Sequence, residues 1–319
     1  MRYLTINGIA RTLQRLARPV FRIIAVFALI YFVNAIVAQW PSISSWRPTL
    51  TELCVVLGLM LFYGASQFLL AENWHRLINT VGAAPVPRNA TYPSFTSTQI
   101  AKYLPGNVFH FVGRHVWLTQ MGIAQESLIL ASGFEIAGLV AGATAMVSIA
   151  AFYAPLPVGG PVATVVNSLA PVGVSVSTLF MVGCLFIILQ GGLNGKVVRY
   201  TRGLASVLAL YTLFFFGQGL FFYVLCITLD PSAGLFVIAA AGVSWIAGFL
   251  TPGAPSGLGP REVVLLLLLR PGMSEEYALI AIASFRLVTT LGDMVCYSLG
   301  KLIFRAGLPK RKADLSSTM

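Results

Sequence analysis

The sequence predicts an all-α fold: a polytopic helical bundle in a membrane, with about seven to eight spans and two Pro-Gly-broken or re-entrant elements. Three observations carry this. The chain is 57% apolar and 10% charged, whereas soluble domains carry about 25% charge. Its mean hydropathy is +0.83. Apolar runs of about 20 residues, enough to cross the hydrocarbon of a bilayer, recur along its 319 residues. Little length is left for a sizeable soluble catalytic domain. The net charge of +11 is carried beside the apolar runs, which argues against nucleic acid as a partner. Cys54, Cys184, Cys226 and Cys296 stand far apart without a CxxC spacing, so they read as packing residues facing lipid or core.

Taken in order, residues 1–19 form a basic segment, with Arg11, Arg15, Arg18 and Arg22 on one helix face and no acid nearby. Such a stripe lies on an anionic surface and holds the N-terminus in the cytoplasm. A single transmembrane domain follows over 20–305, with spans expected at about 20–38, 51–71, 126–153, 172–192, 204–229, 233–250 and 276–300. Residues 72–102 are more polar. Asn89-Ala90-Thr91 matches a glycosylation sequon, but neighbouring positive charge places it inside. Residues 154–171, rich in Pro and Gly and uncharged, read as an outer loop. The basic tail 306–319 is expected to be cytoplasmic. Seven clean spans cannot leave both ends inside. Residues 251–275 must therefore supply an eighth, interrupted crossing, or one span is misassigned.

Two stretches break the apolar pattern. The first runs from Lys102 and Tyr103 through Pro105, Gly106, Asn107, His110 and Gly113 to Arg114. The second contains Pro252, Gly253, Pro255, Ser256, Gly257, Gly259, Arg261 and Glu262. Arg114 and Arg261 each stand nine residues after a proline, and Gly122-to-Glu126 is matched by Gly272-to-Glu276. The displacement is 147 positions in the motifs and 150 after them, which suggests an internal repeat with halves about 51–153 and 204–300. Broken helices at matching positions are a common way to build a transport site at the membrane midplane. Prolines and glycines interrupt the backbone ladder and free N–H groups that favour anions. Asn107 suits an N-cap, Arg114 and Arg261 offer forked donors, and His110 shares a helix face with Arg114. The alternative is that the prolines mark loop ends and the arginines snorkel to the interface.

Glu135, Arg286 and Asp293 fall within spans, where charge is expensive and normally faces a bundle interior or wet cavity. Arg286 and Asp293 share a face but lie too far apart for a direct pair. If the repeat holds, Glu135 and Arg286 are near-equivalent and can pair across the bundle. The aromatic run Tyr211–Tyr223 reads mainly as lipid-facing bulk, with Gly217 and Gly219 permitting close helix contact.

At Lys102-Tyr103-Leu104-Pro105-Gly106, Gly113-Arg114 and Pro255-Ser256-Gly257-Leu258-Gly259-Pro260-Arg261-Glu262, the chain resembles the transmembrane module of the lysylphosphatidylglycerol synthase/flippase family. The family's second motif usually reads Pro-Gly-Gly-x-Gly-x-x-Glu. Here Ser256 replaces a Gly and Pro260 follows the last one, leaving open whether Pro252 or Pro255 partners Pro105. The resemblance implies a module that moves a lipid between leaflets, without the soluble aminoacyl-transferase part.

No HExxH, DxD, Asp-rich or P-loop motif occurs; Gly191–Lys196 only echoes a P-loop. No cofactor, metal or ATP site is expected. The leading expectation is a translocase whose partners are membrane lipids, an anionic phospholipid or a polyprenyl-linked lipid. The alternatives are a membrane-embedded transferase using Glu135 or Glu262 as base, and a non-catalytic partner of a lipid enzyme.

Overall fold

The computed structural model describes residues 23, 26–82, 84–104, 108–157, 160–189, 195–251 and 253–304. The basic N-terminal segment, Pro105, Gly106, Asn107, Pro252, the P-loop echo at 191–194 and the basic tail lie outside them, together with the expectations placed there. Among the described residues every element is helical. The helices are α1 (Val26–Ala38), α2 (Trp40–Ser45), α3 (Leu50–Val81), α4 (Arg88–Thr98), α5 (Phe109–Gln120), α6 (Gln125–Tyr153), α7 (Pro161–Leu189), α8 (Gly195–Leu229), α9 (Phe236–Phe249), α10 (Pro260–Leu269) and α11 (Glu275–Ile303). Short 3-10 turns at Gln99–Tyr103 and Pro255–Gly257 separate α4 from α5 and α9 from α10.

Five helices, α3, α6, α7, α8 and α11, are long and apolar enough to cross a membrane. Local chemistry sets their ends. Thr49 and Glu52 form a reciprocal capping box at the start of α3, and the Ser274 hydroxyl caps α11. Pro161 opens α7 at the first helical position, where its missing N–H costs nothing. The outer loop expected at 154–171 therefore ends before Pro161. The helix runs on through Pro171, whose carbonyl accepts from the Ser175 hydroxyl. The stretch at 72–102 is also more ordered than its polarity suggests, because α3 continues to Val81 and α4 follows. Asn79 fixes the connection: its Oδ1 accepts from the Val86 N–H at 2.7 Å and its amide donates back to the Val86 carbonyl.

The expected span at 233–250 shrinks to α9, whose 14 residues cover about 21 Å at 1.5 Å per residue. Between α9 and α11 the described residues form a turn at Pro255–Gly257 and the ten-residue α10. Neither helix alone reaches across about 30 Å of hydrocarbon. α9 and α10 pack against each other, as do α4 and α5.

Polarity runs opposite to that of a water-soluble fold. Leu57, Leu61, Leu179, Phe186 and Leu302 are exposed, whereas Arg114, Glu135, Glu262 and Asp293 are buried. That distribution suits a hydrocarbon solvent. The aromatic run on α8 corrects the lipid-facing expectation: Tyr211, Phe214, Phe215, Phe221 and Phe222 are all buried. Gly219 does permit close approach, since a Cβ there would lie 2.6 Å from Ile238. Of the cysteines, Cys54 is exposed and Cys226 and Cys296 are buried.

The element order α3–α4–turn–α5–α6 is matched by α8–α9–turn–α10–α11, and the packing follows suit. α3 touches α4 and α11, as α8 touches α9 and α6. α4 packs on α5 and α11, as α9 packs on α10 and α6. α3 and α8 meet each other, and so do the two turns. α7 stands outside this scheme, against α6 and α8. Two glycines show how deep the correspondence goes. A Cβ on Gly142 would lie 2.7 Å from the Tyr211 side chain and 3.0 Å from the Thr212 nitrogen. On Gly292 it would lie 2.5 Å from the Tyr63 ring and 3.2 Å from the Gly64 nitrogen. Each glycine lets a long helix of one half seat against the backbone of the other. Gly142→Ala and Gly292→Ala should each lower stability by about 1–3 kcal/mol through overpacking, read as matching drops in melting temperature in detergent.

Candidate functional site

The two turns meet over an internal cavity of about 110 Å³. Lys102, Tyr103, His110, Arg114, Glu135, Ser256, Gly257 and Arg261 all line it, so residues of both sequence motifs converge on one space. Its apolar walls include Leu139, Phe214 and Trp245.

Arg114 projects from α5 and is buried. Its Nη1 donates to both Glu135 oxygens, at 2.7 and 2.9 Å, and its Nη2 donates to Gln99 Oε1 at 3.0 Å. The Phe95 ring lies 4.1 Å from the guanidinium carbon. Gln99 donates to Gln67 at 3.4 Å, and Gln67 donates to Asp293 at 3.1 Å. Asp293 also receives Lys102 Nζ at 2.7 Å and the Tyr103 hydroxyl at 2.5 Å. A continuous polar chain thus runs from α6 through the first motif to α11, in a setting where an unsatisfied polar group is costly.

The second motif is held separately. Gly253, Gly257 and Gly259 have φ of 93°, 71° and 95°, and Ser256 sits at 50°. This left-handed backbone explains why a glycine would suit the Ser256 position. Gly257 also packs directly on Gly248 of α9, where a Cβ would come within 2.8 Å of backbone. Glu262 Oε2 accepts from the Gly259 N–H at 2.7 Å, closing the N-terminus of α10. Glu262 also pairs with Arg286, whose Nη1 donates to the Ser256 carbonyl at 3.1 Å.

These contacts correct the expected pairing of Glu135 with Arg286: Glu135 takes Arg114 and Arg286 takes Glu262. Each arginine is met by a carboxylate from its own half, across a short helix–helix contact that sequence spacing does not reveal. Arg286 and Asp293 do have separate partners. The cap of α5 is Val108, with no side-chain hydrogen bond. His110 lines the cavity against Phe111, and its Nδ1 has no partner among the described residues.

Arg261 differs from the other buried cations of the site: among the described residues it makes no ion pair and no side-chain hydrogen bond. Its Nε is buried without a partner, as are Arg114 Nε and Arg286 Nη2, and its guanidinium faces the Phe285 ring at 4.8 Å. Tyr63, Gln67, Gln99, Trp245 and Thr289 are lining residues absent from the sequence expectation. Gln67 and Gln99 carried a readable signal, as amides next to or within strongly apolar segments.

Among the described residues, then, every element is helical, five helices are of membrane length, and four of these, α3, α6, α8 and α11, contribute lining to a buried, charged site. No protein-family model and no curated protein matches the chain, so the family resemblance rests on the two motifs alone.

Proposed function

We propose that this protein is a flippase-like lipid translocase of the plasma or bacterial inner membrane. It holds an anionic headgroup, of a phospholipid or a polyprenyl-phosphate-linked lipid, between its two broken motifs. The observation that carries this reading is the convergence of both motifs on one cavity, with Arg261 left as a cation lacking a protein counter-ion. Arg261 supplies the free donors. Lys102 and Arg114 contribute field from within ion pairs, while Tyr103, Ser256 and His110 add neutral polar groups. Glu135 and Glu262 are each committed to an arginine, which disfavours them as the base of a transferase.

The same reading makes the chain an inverted repeat. Arg76 and Arg88 flank the C-terminal part of α3, whereas Lys196, Arg199 and Arg202 flank the start of α8. By the positive-inside rule α3 enters the cytoplasm where α8 leaves it. The α4–α5 hairpin then re-enters from the cytoplasmic side and the α9–α10 hairpin from the outer side, and their turns meet near the midplane. If the span expected at about 20–38 supplies the first crossing, those of α3, α6, α7, α8 and α11 make six and return both termini to the cytoplasm without an eighth span. Repeats of this kind support alternating access around a fixed site.

The test is fluorescent-lipid translocation in proteoliposomes containing anionic phospholipid, with and without an imposed ion gradient. Wild-type protein should accelerate flipping and Arg261→Ala should abolish most of it while melting normally. If wild type moves no anionic or polyprenyl lipid under either condition, or Arg261→Ala moves it at the wild-type rate, the translocase reading fails.

A further inference from the structure

We infer that the cavity accepts a single phosphodiester charge, and that the asymmetry between Glu135 and Phe285 sets this limit. The inference rests on the translocase reading and narrows its substrate. Shifting the first half along the chain carries Arg114 onto Arg261 in the motif and Glu135 onto Phe285 after it. The structure respects both equivalences. Glu135 meets the Arg114 guanidinium, and the Phe285 ring meets that of Arg261. One half therefore carries a neutralised arginine, and the other carries the same arginine with an aromatic face where the carboxylate would be.

The charge balance follows. Lys102, Arg114, Arg261 and Arg286 face Asp293, Glu135 and Glu262, with three cations paired one-to-one. Among the described residues one formal positive charge remains, on Arg261, beside apolar walls formed by Phe214, Trp245 and Phe249. A monoanion cancels it. A diphosphate or dianionic phosphomonoester would bring a further negative charge into a site of low polarity with no cation left to meet it, which is costly. The volume of about 110 Å³ has room for a phosphate group and several waters, since a water requires roughly 10–15 Å³ on this measure. A ring rather than an acid against Arg261 also keeps the guanidinium in place without occupying its hydrogen-bonding edge.

Purified protein in neutral detergent is melted with phosphatidylglycerol, with phosphatidic acid at alkaline pH as a dianion, with glycerophosphoglycerol and with inorganic phosphate. Phosphatidylglycerol should stabilise wild type, with the dianion at least about tenfold weaker in apparent affinity. Glycerophosphoglycerol should compete, and a large excess requirement for it assigns the remaining affinity to the lipid chains. Inorganic phosphate should bind no better than the lipid dianion. Phe285→Glu should reproduce the Arg114–Glu135 arrangement and abolish phosphatidylglycerol binding, whereas Phe285→Gln, polar but uncharged, should retain it. If Phe285→Glu does not fold, Arg261→Gln supplies the loss-of-binding arm, and the monoanion preference of wild type still decides. Equal affinity for both lipids, each lost in Arg261→Gln, overturns the single-charge inference and leaves the translocase reading standing. Retained phosphatidylglycerol binding by a folded Phe285→Glu also overturns it. Absence of any anionic-lipid stabilisation in wild type overturns both.

Discussion

Glu135→Ala is expected to lower the unfolding free energy by about 3–5 kcal/mol, the usual cost of stranding one member of a buried ion pair. Arg114 is 1% exposed, so its guanidinium has no access to bulk solvent once the carboxylate is gone. It would keep the Gln99 contact and the faces of Phe95, Trp74 and Phe111, but no counter-ion. Arg114→Ala should cost a comparable amount by stranding Glu135. The double replacement Arg114→Met with Glu135→Leu should recover most of the loss, because an apolar pair of similar volume removes the desolvation cost along with the attraction. Thermal melts in detergent for the four proteins of this cycle give the coupling energy directly. A single-mutant cost below about 1 kcal/mol would mean that Arg114 is hydrated and the cavity communicates with water.

The cycle separates the two arginines by role as well. If Arg114 acts as a structural support for the first motif, the Met/Leu double variant should continue to move lipid. Arg261→Ala should stop transport with little effect on melting, because removing Arg261 strands no carboxylate. Those outcomes would assign Arg114 to architecture and Arg261, at the matching place in the second motif, to the ligand, although the sequence presents them as equals.

That equality marks where sequence reasoning stopped. The broken motifs were legible because Pro255, Gly257 and Gly259 are poor residues for a helix interior. The buried charges were legible because Glu135, Arg286 and Asp293 interrupt apolar runs. Matched spacings suggest an internal repeat. The partners were not legible: Lys102 meets Asp293 at a separation of 191 residues, and periodicity says nothing about which faces touch. The short helices were harder to read for a related reason. α9 has the composition of a span, and its length of 14 residues and its packing against α10 are what set it apart from the long helices. The aromatic run on α8 could not be assigned to lipid or core from composition, since hydrocarbon and protein interior are equally apolar.

Asp293→Ala should cost about as much as Glu135→Ala, about 3–5 kcal/mol, and should also abolish transport. Asp293 is completely buried and gathers Gln67 of α3 with Lys102 and Tyr103 of the first turn. Its loss leaves an ammonium without a counter-ion and frees the turn that closes one side of the cavity. A surplus charge at Lys102 also raises the cavity to two positive charges and should draw anions to the wrong place. Asp293→Asn keeps one acceptor oxygen for these donors but not the charge, so it should be less destabilising while still altering anion preference. Adding Lys102→Met to Asp293→Ala should restore part of the stability, because the stranded charge is gone. Transport should stay lost, since the first turn would no longer be tied to α11. Melting temperatures and lipid-flipping rates measured on the same preparations test this. Full recovery of flipping in the double variant would show that the anchor serves folding alone, and the first motif would lose its place in the transport cycle.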